Sequence, residues 1–122
     1  MKTATFLLSA LVVVGYAASA AAADVNAGKK VFYKCAICHT AVKGRNSIGP
    51  SLFDVVGRKA ASLPGYNFSD ALKASNKIWD EKTLDAWLTN PQKDVPGTKM
   101  TFPGLPNAED RANVIAYLAT LK

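Results

Sequence analysis

Apolar positions along the chain fall into a few separated blocks, and most of them repeat at the three-and-four spacing of a helix buried on one side. The first block is different in kind. It carries Lys2, then an apolar run from Phe6 to about Ala17, then small residues up to Asp24. That layout is a secretory leader, with Ala21-Ala22-Ala23 before Asp24 as the preferred cleavage site and Ala18-Ser19-Ala20 as an earlier one. An uncleaved membrane anchor is the competing reading, disfavoured because Ser9 and Gly15 interrupt an already short apolar core. The expected division is residues 1–23 as a cleaved signal peptide and residues 24–122 as one mature domain.

Within that domain the spacing predicts four helices. From Asn26, read as a cap, Gly28, Val31, Phe32 and Cys35 share one face. A short helix is expected at residues 69–75, "SDALKAS". Another follows Asp80, with Leu84, Trp87 and Leu88 on its buried side and Asn90-Pro91 as its stop. The last starts at Asn107, places Glu109 and Asp110 in its first turn, and carries Val114, Ile115, Leu118 and Leu121 as its stripe. The rest is punctuated by Gly-Pro and Pro-Gly pairs, and no segment alternates like a strand. Four or five helices joined by long structured loops describe an all-α domain with room in the middle for a ligand.

Charge narrows the partners. The whole chain has 15 basic and 9 acidic residues, a net +6, and loss of the leader removes Lys2 alone, leaving +5. An exported basic protein meets acidic protein surfaces or anionic membranes far more often than nucleic acid, so no nucleic-acid role is expected.

The chemistry sits in "KCAICHT", residues 34–40, which holds both cysteines and the only histidine of the chain. Three chemistries use such residues. A redox disulfide places Cys-x-x-Cys at the start of a helix after a strand, whereas here it follows a helix and strands are missing. A structural zinc site takes four ligands, and these residues supply at most three. Covalent haem attachment uses Cys-x-x-Cys-His as its signature and accounts for all three residues together: Cys35 and Cys38 add to the haem vinyl groups, and His39 binds iron. For the second axial position, Met100 is the only methionine besides the initiator, in a loop stiffened by prolines and glycines. Histidine and methionine are an established haem ligand pair, although by itself Met100 also reads as a core gap-filler.

Several stretches in order, "AGKKVFYKCAICH", "IGPSLFDVVGRK", "PGYNFSDALKASNKIWDEKTL", "WLTNPQKDVPGTKM" and "EDRANVIAYLATLK", make the mature chain resemble the class I cytochromes c, of the mitochondrial and cytochrome c2 type. The resemblance implies the cytochrome c fold and one haem c per chain. It implies that Gly28 and Phe32 pack on Val114 and Tyr117. It implies that the Pro50 carbonyl accepts a hydrogen bond from His39. It places Trp79 and Arg58 near a haem propionate, with Tyr66 as a further partner. Phe68, Leu72 and Trp87 depart from the mitochondrial pattern and alter the polarity expected around the haem. The apolar plate would be packed by Phe32, Leu52, Phe53, Leu84, Leu88, Phe102 and Leu118.

The expected function is that of a soluble, periplasmic, monomeric electron carrier with no enzymatic activity. Its partners would be a cytochrome bc1-type complex, a photosynthetic reaction centre, an oxidase or a periplasmic dehydrogenase. Their acidic patches would meet a ring of lysines that includes Lys34 and Lys99, with Lys93 and Lys29 or Lys30 beside them. The alternative is a haem domain with an open sixth site, acting in gas binding or peroxidase-like chemistry. A thiol–disulfide protein without haem is a third.

Overall fold

A computed structural model describes residues 9–15 and 22–122. Five helices follow in order: α1 (Val25–Phe32), α2 (Asp70–Ser75), α3 (Glu81–Thr89), α4 (Pro91–Asp94) and α5 (Ala108–Ala119). Among the described residues there is no strand, only an isolated antiparallel bridge between Lys59 and Ile78. The all-α expectation holds, and the reason is visible in the loops. Their backbone groups bond to neighbouring turns and to side chains rather than to a ladder.

Each helix starts where a short polar side chain can catch the free N–H groups of the first turn. Ser69 caps α2, Asn107 caps α5, and Asp80 with Thr83 forms a reciprocal capping box on α3. Those backbone and hydroxyl bonds from Thr83 hold the Asp80 carboxyl below its ordinary range. Three expectations need correction. α1 is capped by Asp24, not Asn26, because the Asp24 carboxylate accepts from the N–H groups of Asn26 and Ala27. α1 also ends at Phe32, so Cys35 lies beyond it in a run of turns. At Asn90-Pro91 the chain does not simply stop: Asn90 caps a further single turn, α4, with the proline in its first turn where no N–H is needed.

The expected leader falls partly on residues 1–8 and 16–21, outside the described residues. Residues 9–15 have no regular structure, and Leu11, Val12 and Val13 are exposed. No described helix is long and apolar enough to cross a membrane.

Direct helix packing among the described residues is confined to α1 on α5, α3 on α5 and α3 on α4. The first contact is the closest. A Cβ at Gly28 would lie 1.9 Å from the Asn113 carbonyl oxygen and 3.0 Å from Tyr117 Cβ, so only glycine lets the two backbones meet. Phe32 stacks tilted on Tyr117 at 5.1 Å, and Val114 is completely buried. The Asp24 N–H donates to Asn113 Oδ1 at 2.8 Å, pinning the start of α1 to α5. Replacing Gly28 with alanine is expected to cost about 3 kcal/mol through overpacking, read as a lower midpoint in guanidinium unfolding of the haem-loaded protein. An unchanged midpoint would mean that the helices can separate without loss.

Candidate haem site

Past Phe32 the backbone keeps helix-like turns without continuing the helix. The Cys35 and Ala36 N–H groups both return to the Phe32 carbonyl, and the Cys38 and His39 N–H groups both return to the Cys35 carbonyl, at 2.8–3.1 Å. Residues three and four apart on such turns share a side. Cys35, Cys38 and His39 accordingly line one cavity together. The two thiols are not joined in a disulfide.

His39 is fixed from two directions. Its Nδ1 lies 2.7 Å from the Pro50 carbonyl oxygen. A carbonyl can only accept, so Nδ1 carries the proton and Nε2 keeps a free lone pair, the state that binds a metal. Burial pulls the imidazole pKa below its ordinary value, against the Pro50 bond, and the Arg58 cation lowers it further. The ring is therefore neutral at pH 7. On its other side it lies against Gly49, where an added Cβ would sit 2.5 Å from His39 Cε1. The Gly49 N–H donates to the Cys38 carbonyl at 2.8 Å, which locks this approach. Gly49 is a site residue that sequence reasoning treated only as turn punctuation; its place beside Pro50 was the available signal.

The cavity, about 410 Å³, is in the range of cofactor pockets. Leu72 of α2, Leu84, Trp87 and Leu88 of α3, and Val114 and Leu118 of α5 contribute its apolar lining, with Leu52 and Phe102 from loops. Pro50, Arg58, Trp79 and Met100 also line it, so every residue singled out for the site meets in one place. Trp79 is buried and packs on Trp87 at 5.3 Å. The Arg58 guanidinium donates to the carbonyls of Ser51 (3.1 Å) and Phe53 (3.2 Å); burial lowers its pKa, opposed by Asp54, yet it stays cationic at neutral pH. The Tyr66 hydroxyl donates to the Ile48 carbonyl at 2.8 Å. Two expected packing residues lie elsewhere. Phe32 is committed to the α1–α5 contact, and Phe53 faces an outer groove with Lys43, Val56 and Leu63.

Met100 is half-buried on a loop held by its own polar groups. Its N–H donates to Thr98 Oγ1 at 3.3 Å, and Gln92 Nε2 donates to its carbonyl. Lys99 Nζ reaches across to the Asn67 carbonyl at 3.0 Å. Gln92 had no signal in the sequence, since a surface glutamine carries none.

The family model for cytochrome c matches residues 25–122. The chain belongs to the cytochrome c family. It is 55% identical over 102 residues to cytochrome c2 of Rhodoblastus acidophilus, covering 83% of this chain and 95% of that one. To cytochrome c2 of Rhodomicrobium vannielii it is 48% identical over 121 residues, 98% of this chain and 97% of the relative. The solved structure of cytochrome cH from Methylobacterium extorquens is similar over 80% of this chain and 98% of its own, with a TM-score of 0.76 and 48% identity. Cytochromes c of this kind are electron-transfer proteins, not enzymes, and carry covalent haem c.

The residues fit that group. Burial, with the Cys38 charge adding and Lys34 opposing, pushes the Cys35 thiol up to about 11. A thiol so held is a poor thiolate for redox or zinc chemistry, but a thioether has no proton to lose. Among the described residues no three His, Cys, Asp or Glu side chains gather to hold a free metal ion. The cavity also explains why the group matters to folding. Left unfilled, its apolar walls, Leu72, Leu84, Leu88 and Leu118 among them, would face water instead of a partner. The haem-free chain is expected to lose most of its native helical circular dichroism; near-native ellipticity would show that the walls close without the cofactor.

Proposed function

We propose that this cytochrome c is a periplasmic single-haem carrier that accepts and donates one electron at a time. Cys35 and Cys38 would hold the haem covalently, and His39 and Met100 would bind its iron. The observation that carries the reading is the His39–Pro50 bond, which leaves Nε2 as a lone pair at the cavity that the two cysteines and Met100 also line. When bound, haem c supplies a one-electron ferric–ferrous couple, and a thioether ligand favours the ferrous side.

The chain's own residues do the rest. Pro50 and Gly49 fix the imidazole plane, and the Pro50 carbonyl strengthens His39 as a donor. Leu72, Leu84, Leu88 and Leu118 exclude water. Arg58 keeps a positive charge beside the cavity, suited to a propionate, and Trp79, whose backbone N–H donates to the Arg58 carbonyl, would add its indole N–H. With His39 and Met100 both engaged, no site is left for a substrate, which separates a carrier from the gas-binding or peroxidase-like alternative. The alternative also lacks an acid–base histidine, since His39 is the only one.

Residues 1–23 act as a cleaved export signal in this reading. In its support, the family match begins at residue 25 and Asp24 caps α1, so cleavage after Ala23 would keep the first helix whole.

Redox partners are met through acidic patches, as on a bc1-type complex, a reaction centre, an oxidase or a periplasmic dehydrogenase. Lys34 and Lys99 are exposed and lie among the residues around the cavity, and Lys29, Lys30 and Lys93 are exposed as well. A small, charge-steered interface suits a carrier that must leave as readily as it arrives.

Two measurements test the reading. The parent protein is expected to show a low-spin spectrum with a weak far-red sulfur-to-iron band and no rapid carbon monoxide binding, both reversed in Met100→Ala. A parent that binds carbon monoxide rapidly would put the open-site alternative first. Association with an acidic redox partner, followed by flash-induced electron transfer, is expected to slow with rising salt, and Lys34→Glu to slow it about tenfold at low salt. Rates indifferent to ionic strength would remove the steering role.

A further inference from the structure

Among the described residues Lys77 and Asp94 form the one ion pair in which both side chains are mostly buried, 21% and 17% exposed. Lys77 Nζ lies 3.3 Å from both carboxylate oxygens, donating a hydrogen bond to Oδ1 and facing Oδ2 by charge alone. Asp94 Oδ2 is buried with no hydrogen-bond partner. Local structure gives no reason for this acid. Asp94 is the last residue of α4, at the helix end where a carboxylate meets the negative pole of the backbone dipoles. A half-desolvated carboxylate in such a position is kept only by its partner, and a pair of this kind is much more sensitive to loss of one member than a surface bridge is.

What the pair joins gives it a purpose. On one side, α4 and the Met100 loop form one hydrogen-bonded unit. The Val95 N–H returns to Pro91, Thr98 to Val95, Met100 to Thr98 Oγ1, and Gln92 of α4 holds the Met100 carbonyl. On the other side, Lys77 sits in the ribbon that carries Trp79 and Arg58. Its carbonyl accepts from the Ala60 N–H at 2.8 Å, Ile78 bridges to Lys59, and the Trp79 N–H donates to the Arg58 carbonyl at 2.9 Å. The ion pair thus spans 17 residues of sequence to tie the unit carrying Met100 to the ribbon carrying Trp79 and Arg58.

We propose that the Lys77–Asp94 pair is a strut that positions Met100 for the sixth coordination site, an inference that rests on Met100 being the ligand. Lys77 and Asp94 are positioning residues: neither lines the cavity, and both act through the hydrogen-bonded unit that ends in Met100. Cutting the strut lets that unit drift from the cavity while His39, held by Gly49 and Pro50, stays in place. The effect falls on one axial ligand only.

The test uses the haem-loaded protein with Asp94→Asn, Lys77→Met, Lys77→Arg and the charge-swapped double variant Lys77→Asp/Asp94→Lys. The far-red sulfur-to-iron band and the rate of carbon monoxide binding to the ferrous form are read alongside helical circular dichroism. The expected result is a weakened band and at least about tenfold faster carbon monoxide binding in Asp94→Asn and Lys77→Met, the scale seen when a group supporting a metal ligand is lost. Lys77→Arg and the swapped double are expected to recover most of the band. Single variants that fold with an unchanged band and rate would overturn the strut, whatever their loss of thermal stability. If a single variant does not fold, the swapped double decides: a recovered band supports the strut and its absence overturns it. A parent without the band would overturn Met100 ligation itself, and the strut with it, which distinguishes that failure from a failure of the strut alone.

Discussion

An apolar cavity in the middle of a domain of about 100 residues is the constraint on which the other features of this cytochrome c depend. The helices touch one another sparingly, and α2 packs on no other helix among the described residues. What they share is the cavity: α2, α3 and α5 each turn leucines toward it. The usual order of cause is thus reversed. In most small domains helices bury their apolar faces on each other and leave a site at the edge. Here the faces are aimed at a space, and the fold is completed by what fills it. Among the described residues the tightest helix crossing is α1 on α5 through Gly28, which joins the first helix to the last.

The electrostatics of the walls follow from the same burial. Removing water keeps the His39 imidazole neutral and its Nε2 lone pair available, and keeps the Cys35 thiol protonated. Arg58 is the exception, retaining its charge because two backbone carbonyls replace part of its hydration. In the proposed reading a neutral imidazole and a thioether would bind the iron with one fixed cation nearby, so few atoms would need to move when an electron arrives, which is the physical requirement of a carrier.

The two proposed iron ligands are held by different means. His39 follows its cysteines directly in sequence, and a glycine against one face and a carbonyl on Nδ1 leave its ring little freedom. Met100 arrives 61 positions later on a loop tied by Gln92 and Thr98, and in the proposed reading the Lys77–Asp94 pair holds that loop through α4. A short covalent path makes one ligand robust. A long path through side chains makes the other adjustable, so the methionine side is where sequence change can tune the protein without dismantling it.

Much of this was legible in the sequence because the signals are local. Helix periodicity, short polar caps, and the Cys-x-x-Cys-His spacing act over three or four residues, and the ordered stretches that mark the family gave the fold, the cofactor and the candidate ligands. Local reasoning failed by small steps where competing partners existed: Asp24 outbid Asn26 as the cap of α1, and Asn90-Pro91 restarted a helix rather than ending one. The positions that stayed hidden are those whose meaning depends on what the fold sets opposite them. Gly49 matters because the His39 ring lies on it, Phe53 lines an outer groove rather than the cavity, and Lys77 and Asp94 are unremarkable charges until they are paired. The sequence by itself determined the elements and the chemistry of the site, since both are written in short-range spacing; only the tertiary structure decided which distant side chains support that chemistry, because contacts across the chain leave no periodic trace in it.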